Sequence, residues 1–98
     1  SGVGSPESGG IQEQTDGCIT ELAGVLEEAG SGLENLVEVT TYLARMTDFA
    51  GYNEAYGKRF SADGPARTTV AVNQLAHPEA LIEMRGVAYI AECASTLN

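Results

Sequence analysis

Basic residues are scarce in this chain. Lysine and arginine together number 5 in 98 residues, against 14 aspartates and glutamates, and the net charge at pH 7 is −9. Such a charge repels the phosphate backbone of a nucleic acid and the surface of an anionic membrane. The composition therefore predicts that neither a nucleic acid nor a membrane is a partner.

Residues that bind metals or form disulfides are also few. The chain has the cysteines Cys18 and Cys93, far apart and outside any CxxC pair, and the single histidine His77. These are too few ligands for a structural zinc site, and reduced thiols in an intracellular protein are the expectation. We predict no metal site. His77, beside Pro78, is expected to be a loop residue rather than a catalytic base.

Long apolar runs are absent as well. No stretch of the sequence is long enough to span a bilayer, and no charged-then-apolar secretory signal opens it. These features predict a soluble, cytoplasmic protein. A length of 98 residues predicts one domain over 1–98 with one modest core.

The N-terminal third is predicted to contain one helix. Residues 1–10 are rich in glycine and serine, which is typical of a flexible arm. From Ile11 to Ala29, apolar residues recur every three or four positions, as in an amphipathic helix. Gly30 is the expected C-cap of this helix, and Cys18 is assigned to the core.

The rest of the chain predicts three strands and a second helix. Strands are expected at 36–43, 66–73 and 80–91, a helix at about 48–60, and a tail at 92–98. The first of these strands is apolar enough to be buried on both faces. This order of elements predicts an α+β fold with the helices on one face of the sheet. Because a three-stranded sheet with an apolar second face is marginal alone, we expect oligomerisation through that face.

One face of the second predicted helix combines aromatic and polar residues. Phe49, Asn53, Tyr56 and Phe60 recur at helical spacing, and Phe49 is assigned to the core. Asn53 is the polar member of this face. The pattern leaves two interpretations of Asn53 open, a hydrogen-bonding residue at an element end and a ligand contact.

Arg67 and Glu83 form the only plausible charged pair for a small-molecule site, and we expect them on neighbouring strands. Alternation along a strand places Thr69 on the face of Arg67 and Arg85 on the face of Glu83. The alternatives remain an exposed or interface salt bridge for Arg67, and an ion pair of Glu83 with Arg85 or with Arg67.

Short motifs follow one another in a fixed order from about residue 10 to residue 88. They are Gly10–Thr15 (GIQEQT), Val25–Gly30 (VLEEAG), Leu36–Leu43 (LVEVTTYL), Met46–Ala50 (MTDFA), Asn53–Tyr56 (NEAY), Pro65–Val70 (PARTTV) and Leu81–Glu83 (LIE). The ordered set, with PARTTV at its centre, resembles the YjgF/Rid family, the reactive intermediate deaminases, also described as endoribonuclease L-PSP-like proteins. Members of this family hydrolyse enamines and imines.

The resemblance implies a fold, an assembly and a reaction. The fold would be chorismate mutase-like, with two helices on one face of the sheet and three subunits joined through the other, and clefts between neighbouring subunits. The implied reaction converts a 2-aminoacrylate-type enamine, through its imine, into a 2-keto acid and ammonia. Arg67 would bind the substrate carboxylate, Glu83 would act on the hydrolytic water or the ammonium, and Asn53 and Thr69 would line the cleft. No cofactor is expected.

The sequence departs from the family pattern in several places. Two N-terminal strands usual in the family, one of them with a cleft tyrosine, are expected to be absent, and Ser1-Gly2-Val3 matches the turn that ends them. Arg85 replaces an acidic residue, and Thr69 stands where cysteine or alanine is frequent. The alternative hypothesis is therefore a non-catalytic ligand-binding or interaction protein on the same trimeric scaffold.

Overall fold

A computed structural model describes residues 2–4 and 9–90, and it shows an α+β fold with two helices on one face of a mixed sheet. The strands are β1 (Gly2–Gly4), β2 (Leu36–Leu43), β3 (Ala66–Ala71) and β4 (Ile82–Ala88), and the helices are α1 (Ile11–Glu28) and α2 (Phe49–Arg59). Short 3-10 turns at Leu33–Asn35 and Met46–Asp48 precede β2 and α2. The predicted fold class is confirmed.

The strands lie in the order β1-β4-β2-β3. β4 is antiparallel to both of its neighbours, whereas β2 and β3 are parallel and are connected through α2. A parallel pair requires such a crossover, usually a helix. The expectation that Arg67 and Glu83 lie on neighbouring strands is wrong, because β2 runs between β3 and β4.

Part of the predicted N-terminal arm is a strand. Gly2 pairs with Arg85 and Gly4 with Glu83, and these pairs make β1 the fourth strand of the sheet. Three residues with two glycines have little strand propensity of their own, so the exposed edge of β4 is what organises them. The prediction of a flexible arm is corrected for residues 2–4. Residues 5–8 and the predicted tail at 92–98 lie outside the described part.

The last two strands are shorter than predicted. β3 ends at Ala71, and β4 begins at Ile82 instead of residue 80. β4 begins later in the sequence than predicted because the backbone N–H groups of the two preceding residues have other hydrogen-bond partners. The N–H of Ala80 donates to the carbonyl of His77 within a turn, and that of Leu81 donates to Gln14 Oε1 at 2.8 Å.

The first helix follows its prediction closely. Its buried stripe contains Cys18, Ile19, Leu22 and Leu26. Gly30 follows the helix with a φ of +85°, a conformation that favours glycine. The N–H of Ser31 donates to the carbonyl of Leu26, which is the bonding pattern of a Schellman C-cap.

The core lies between the two helices and the inner face of the sheet. Its fully buried side chains from the strands and α2 include Val39, Leu43, Tyr52, Ile82 and Met84. Phe49, assigned to the core from the sequence, is 41% exposed. The buried side of α2 contains Tyr52, Ala55 and Tyr56, and Phe49, a turn before them, lies at the edge of this surface.

The other face of the sheet, which we call the open face, is not covered by any of the described residues. It carries Glu38, Thr40, Tyr42, Thr68, Val70, Glu83, Arg85 and Val87, as the strand registers place them. The exposed fractions of Val70 and Val87 are 39% and 40%. Within one chain β2 is therefore buried on one face rather than on both. Separately, none of the helices in the described residues is long and apolar enough to cross a membrane.

Candidate functional site

Arg67 lies on the helix-covered face of the sheet, at its β3 edge. In the parallel pairing Arg67 is opposite Val39 and Thr69 is opposite Thr41, and both partners are fully buried beneath the helices. The predicted shared face of Arg67 and Thr69 is confirmed. Because β3 is the last strand of the sheet, Arg67 is exposed at this edge, although its side chain contacts α2.

The guanidinium of Arg67 is held by two side chains of α2. Its Nη1 donates a 2.8 Å hydrogen bond to Asn53 Oδ1. Its Cζ lies 4.2 Å from the centre of the Tyr56 ring and 5.7 Å from that of Tyr52, both within the range of a cation–π contact. The structure thus brings together Arg67 and Asn53, two of the residues selected from the sequence.

A cleft of about 360 Å³ opens beside this arginine. It is lined by Asn53, Tyr56, Gly57, Phe60, Ser61, Ala62, Pro65 and Arg67. The chain leaves α2 through a turn in which the N–H of Gly64 donates to the carbonyl of Ser61, and Pro65 then leads directly into β3. The cleft therefore lies where the end of α2 and the start of β3 diverge.

Thr69 is connected to the same cluster through Tyr52. The Tyr52 hydroxyl lies 2.9 Å from Thr41 Oγ1 and 3.2 Å from Thr69 Oγ1, so it bridges β2 and β3. Tyr52 and Thr41 are fully buried. The Thr69 hydroxyl thus contacts a buried tyrosine, and Thr69 does not line the cleft itself.

The positive charge of Arg67 is not neutralised within the described part of the chain. Among residues 9–90 the ion pairs are Arg45–Asp48 and Arg59–Asp16, neither of which involves Arg67. Burial raises the pKa of the Tyr56 phenol above its ordinary value of 10.0, Tyr52 raises this pKa further, and Arg67 opposes the increase. Tyr56 is thus neutral at pH 7. The cleft contains an uncompensated cation, which favours a small anion as ligand.

Glu83 lies in a different place, on the open face. It is opposite Tyr42 in the antiparallel pairing and lines a separate depression of about 420 Å³ together with Arg85 and the loop after β3. Glu83 and Arg85 share the open face as predicted, but they form no ion pair among the described residues.

Arg67 and Glu83 therefore do not meet within one chain. They are on opposite faces of the sheet, and β2 separates their strands. An ion pair between them, one of the alternatives from the sequence, is absent from the described residues. A site that contains both side chains requires a second copy of the chain, with the Glu83 face of one against the Arg67 cleft of the other.

Sequence reasoning missed the part played by Tyr52 and Tyr56. The sequence pattern does not single out Tyr52, and it indicates for Tyr56 only a place on the helix face. Tyr52, Tyr56 and Phe60 are spaced by four residues. This spacing alone indicates that the three aromatic side chains share one packed side of the helix. Their proximity to Arg67 depends on the β2–α2–β3 crossover, which no local pattern shows.

The remaining candidates from the sequence are not part of this cluster. His77 is exposed in the loop before β4, and Cys18 is buried in the core. Cys93 lies outside the described residues. Within residues 9–90 no group of three or more histidine, cysteine or acidic side chains is placed to hold a metal ion.

Comparisons with known proteins agree with this fold. The family model described as endoribonuclease L-PSP matches residues 2–90. A RutC family protein of Pyrococcus abyssi is 43% identical over 87 residues, which are 89% of this chain and 68% of the relative. The mitochondrial protein mmf2 of Schizosaccharomyces pombe is 49% identical over 67 residues, and the match spans 53% of its length.

Solved structures give the same result. A YjgF family protein from Neisseria meningitidis matches with a TM-score of 0.83 at 29% identity, over 90% of this chain and 74% of that protein. Yeast Mmf1 matches with a TM-score of 0.79 at 34% identity, over 84% of this chain and 65% of its own. The chain belongs to the endoribonuclease L-PSP family, which includes the YjgF and RutC proteins.

Proposed function

We propose that this protein hydrolyses reactive enamines and imines of the 2-aminoacrylate type to 2-keto acids and ammonia. The observation that supports this function best is the guanidinium of Arg67, held by Asn53 and Tyr56 at a cleft and free of any carboxylate among the described residues. A cleft of about 360 Å³ suits a small ligand. The substrate class is therefore a small carboxylate.

Arg67 binds the substrate carboxylate in this proposal. A guanidinium has five N–H donors in a planar fork, and the hydrogen bond to Asn53 uses one of them. The others can bind both oxygens of a carboxylate at once, which the single ammonium of a lysine cannot reproduce. Asn53 then orients the arginine. The Thr69 hydroxyl contacts that of Tyr52 and so helps to hold β3, the strand that carries Arg67, against α2.

Glu83 serves the hydrolytic step from a neighbouring copy. After the enamine has tautomerised to the imine, the Glu83 carboxylate takes a proton from a water molecule as its oxygen attacks the imine carbon. Glu83 returns this proton to the nitrogen, which completes the carbinolamine. The hydroxyl proton of the carbinolamine then passes to the nitrogen as the C–N bond breaks, so that ammonia leaves and the 2-keto acid remains. The reaction consumes one water and requires no metal or organic cofactor.

The assembly in this proposal is a homotrimer formed through the open face. The exposed valines Val70 and Val87 give this face an apolar surface, and Glu83 lies on β4, the strand that carries Val87. Covering the open face with a second copy would bury these valines and would also bring a Glu83 towards another chain's Arg67. The assembly and the site therefore depend on the same contact.

Two other functions deserve comparison. Ribonuclease activity, which the family description suggests, is disfavoured by a net charge of −9. A non-catalytic ligand-binding role on the same scaffold is favoured by one observation, namely that a single chain has the carboxylate-binding cleft without Glu83. For location we propose the cytoplasm, although mmf2 is described as mitochondrial.

The test is turnover of a freshly generated substrate. A pyridoxal-dependent dehydratase produces 2-aminoacrylate from serine, and the protein should accelerate release of ammonia and pyruvate beyond the rate in buffer. Arg67→Ala should reduce this acceleration at least about 100-fold, since a bidentate charged contact is lost. Arg45→Ala is the matched control, because Arg45 pairs with Asp48 away from the cleft.

The outcomes separate the hypotheses. Acceleration that depends on Arg67 supports the enzyme. Pyruvate binding that depends on Arg67, without acceleration, supports the ligand-binding protein instead. A trimer by sedimentation supports the proposed assembly, and a stable monomer with full activity would contradict a site between copies.

A further inference from the structure

Aromatic rings follow one another along the buried side of α2. The centres of Tyr52 and Tyr56 are 5.8 Å apart, and Tyr56 is stacked on Phe60 with centres 4.6 Å apart and planes inclined by 27°. The spacing of four residues places these side chains one above another on the helix surface. Tyr56 is therefore fixed from both sides, and its ring cannot turn away from β3 without disturbing the row.

The guanidinium of Arg67 lies over the ring that is fixed in this way. The distance from Cζ to the Tyr56 centre is 4.2 Å, shorter than the 5.7 Å to Tyr52. The hydrogen bond to Asn53 meets the guanidinium at Nη1. One contact supports the guanidinium from the ring side and the other restrains it at Nη1, so together they limit how the long side chain can swing.

We infer that Tyr56 is a positioning residue for ligand binding, whose ring holds the Arg67 guanidinium in the orientation that presents its free N–H groups to a carboxylate in the cleft. The inference rests on the proposed function for the identity of the ligand as a 2-imino or 2-keto acid. Without the ring, an arginine at an exposed sheet edge would sample many rotamers, and its N–H groups would not be held in one orientation.

The ring, and not the hydroxyl, is the part of Tyr56 that acts on Arg67. The hydroxyl is buried and has no hydrogen-bond partner in the described part of the chain. The phenol remains protonated at neutral pH, because burial raises its pKa. It therefore supplies neither an ion pair nor a hydrogen bond to Arg67, whereas the π face contacts the guanidinium directly.

Two substitutions separate the ring from the hydroxyl. Tyr56→Phe keeps the ring and should leave the Kd for pyruvate, measured by calorimetry, within about twofold of the original. Tyr56→Leu removes the ring and should raise that Kd, and the KM for 2-aminoacrylate, about fivefold, as loss of a cation–π contact to an exposed arginine predicts. Because Glu83 is untouched, kcat should fall less than KM rises.

Phe49→Leu is the matched control. Phe49 belongs to the same helix and contacts Tyr52 at 6.0 Å between ring centres, but it is 41% exposed and does not line the cleft. This change should lower the melting temperature without changing the Kd for pyruvate. A Kd raised equally by Phe49→Leu and Tyr56→Leu would assign the effect to general loosening of α2 and overturn the inference.

A second measurement requires no destabilising variant. In the NMR spectrum of the intact protein, the ring current of Tyr56 should shift the guanidinium proton signals of Arg67 upfield, and Tyr56→Phe should keep this shift. An unshifted Arg67 signal would overturn the inference, as would equal effects of Tyr56→Phe and Tyr56→Leu, or a protein that binds no pyruvate. Ring-dependent pyruvate binding without any turnover would support the inference while contradicting the enzyme.

Discussion

The two faces of the sheet differ in which residues of the proposed site each one carries. The covered face has a complete core and, at its edge, the Arg67 cleft with Asn53 and Tyr56 already in place. The open face has Glu83 and Arg85 in a depression of their own, beside exposed valines. One chain thus has the proposed carboxylate-binding cleft on one side and exposes the proposed hydrolytic residue on the other. The proposed function therefore depends on bringing unlike faces of two copies together.

The largest expected effect compares a core position with an open-face position. Ile82→Ala on β4 should lower the free energy of unfolding by about 2–5 kcal/mol, because Ile82 is fully buried and the change leaves a cavity. Val87→Ala on the other side of the same strand should cost a single chain less than about 1 kcal/mol. Chemical denaturation at several protein concentrations measures both.

The concentration dependence sharpens this comparison. A loss for Val87→Ala that grows as protein concentration rises would place Val87 in an interface between copies, because only the assembled protein contains that contact. Equal, concentration-independent losses for both variants would contradict the distinction between a covered and an open face.

A smaller effect is expected from one hydroxyl of the covered face. Tyr52→Phe should cost about 1–3 kcal/mol, because it leaves the fully buried Thr41 hydroxyl without the partner that the structure shows, and also releases Thr69. Tyr56→Phe is the internal control and should cost nothing, since its hydroxyl has no partner among the described residues. Equal costs for the two variants would show that the hydroxyl bridge is not what stabilises this edge.

The smallest expected effect is a loss of folding stability at alkaline pH. The pKa of Tyr56 is raised in the folded chain above 10.0 by burial, so folding favours the protonated phenol. Its contribution is fully present below pH 10 and is lost as the pH rises through the folded pKa, because the unfolded chain releases the proton more readily. Unfolding between pH 9 and 11 should therefore show a steeper loss of stability for the original protein than for Tyr56→Phe. Identical profiles would contradict the assigned burial.

Local patterns predicted most of the fold and half of the candidate site. Helical periodicity located α1 and Gly30 because its apolar stripe is continuous, and strand alternation placed Arg67 and Thr69 on one face. Alternation fixes faces only within a strand, however. The relation between Arg67 and Glu83 depends on the strand order, in which β2 lies between them, and no local pattern contains that order.

The other differences have similar causes. Gly2–Gly4 form β1 because β4 offers an edge to pair with, a partner that the arm's own composition does not reveal. Phe49 was assigned to the core because it shares a helical face with Asn53 and Tyr56, but the sheet packs against Tyr52 and Tyr56 instead. In both cases the local sequence is compatible with more than one arrangement, and contacts between elements distant in the sequence determine which one forms.

The most direct test of the account is complementation between two inactive variants. Arg67→Ala and Glu83→Ala are expressed together with different affinity tags, and assemblies that carry both tags are isolated and assayed for 2-aminoacrylate hydrolysis. If each site of the proposed trimer takes Arg67 from one copy and Glu83 from another, mixed trimers should recover about a third of the original activity, since one of their three contacts joins an intact Arg67 to an intact Glu83. Mixed assemblies that remain as inactive as either variant alone would contradict a site shared between the two faces.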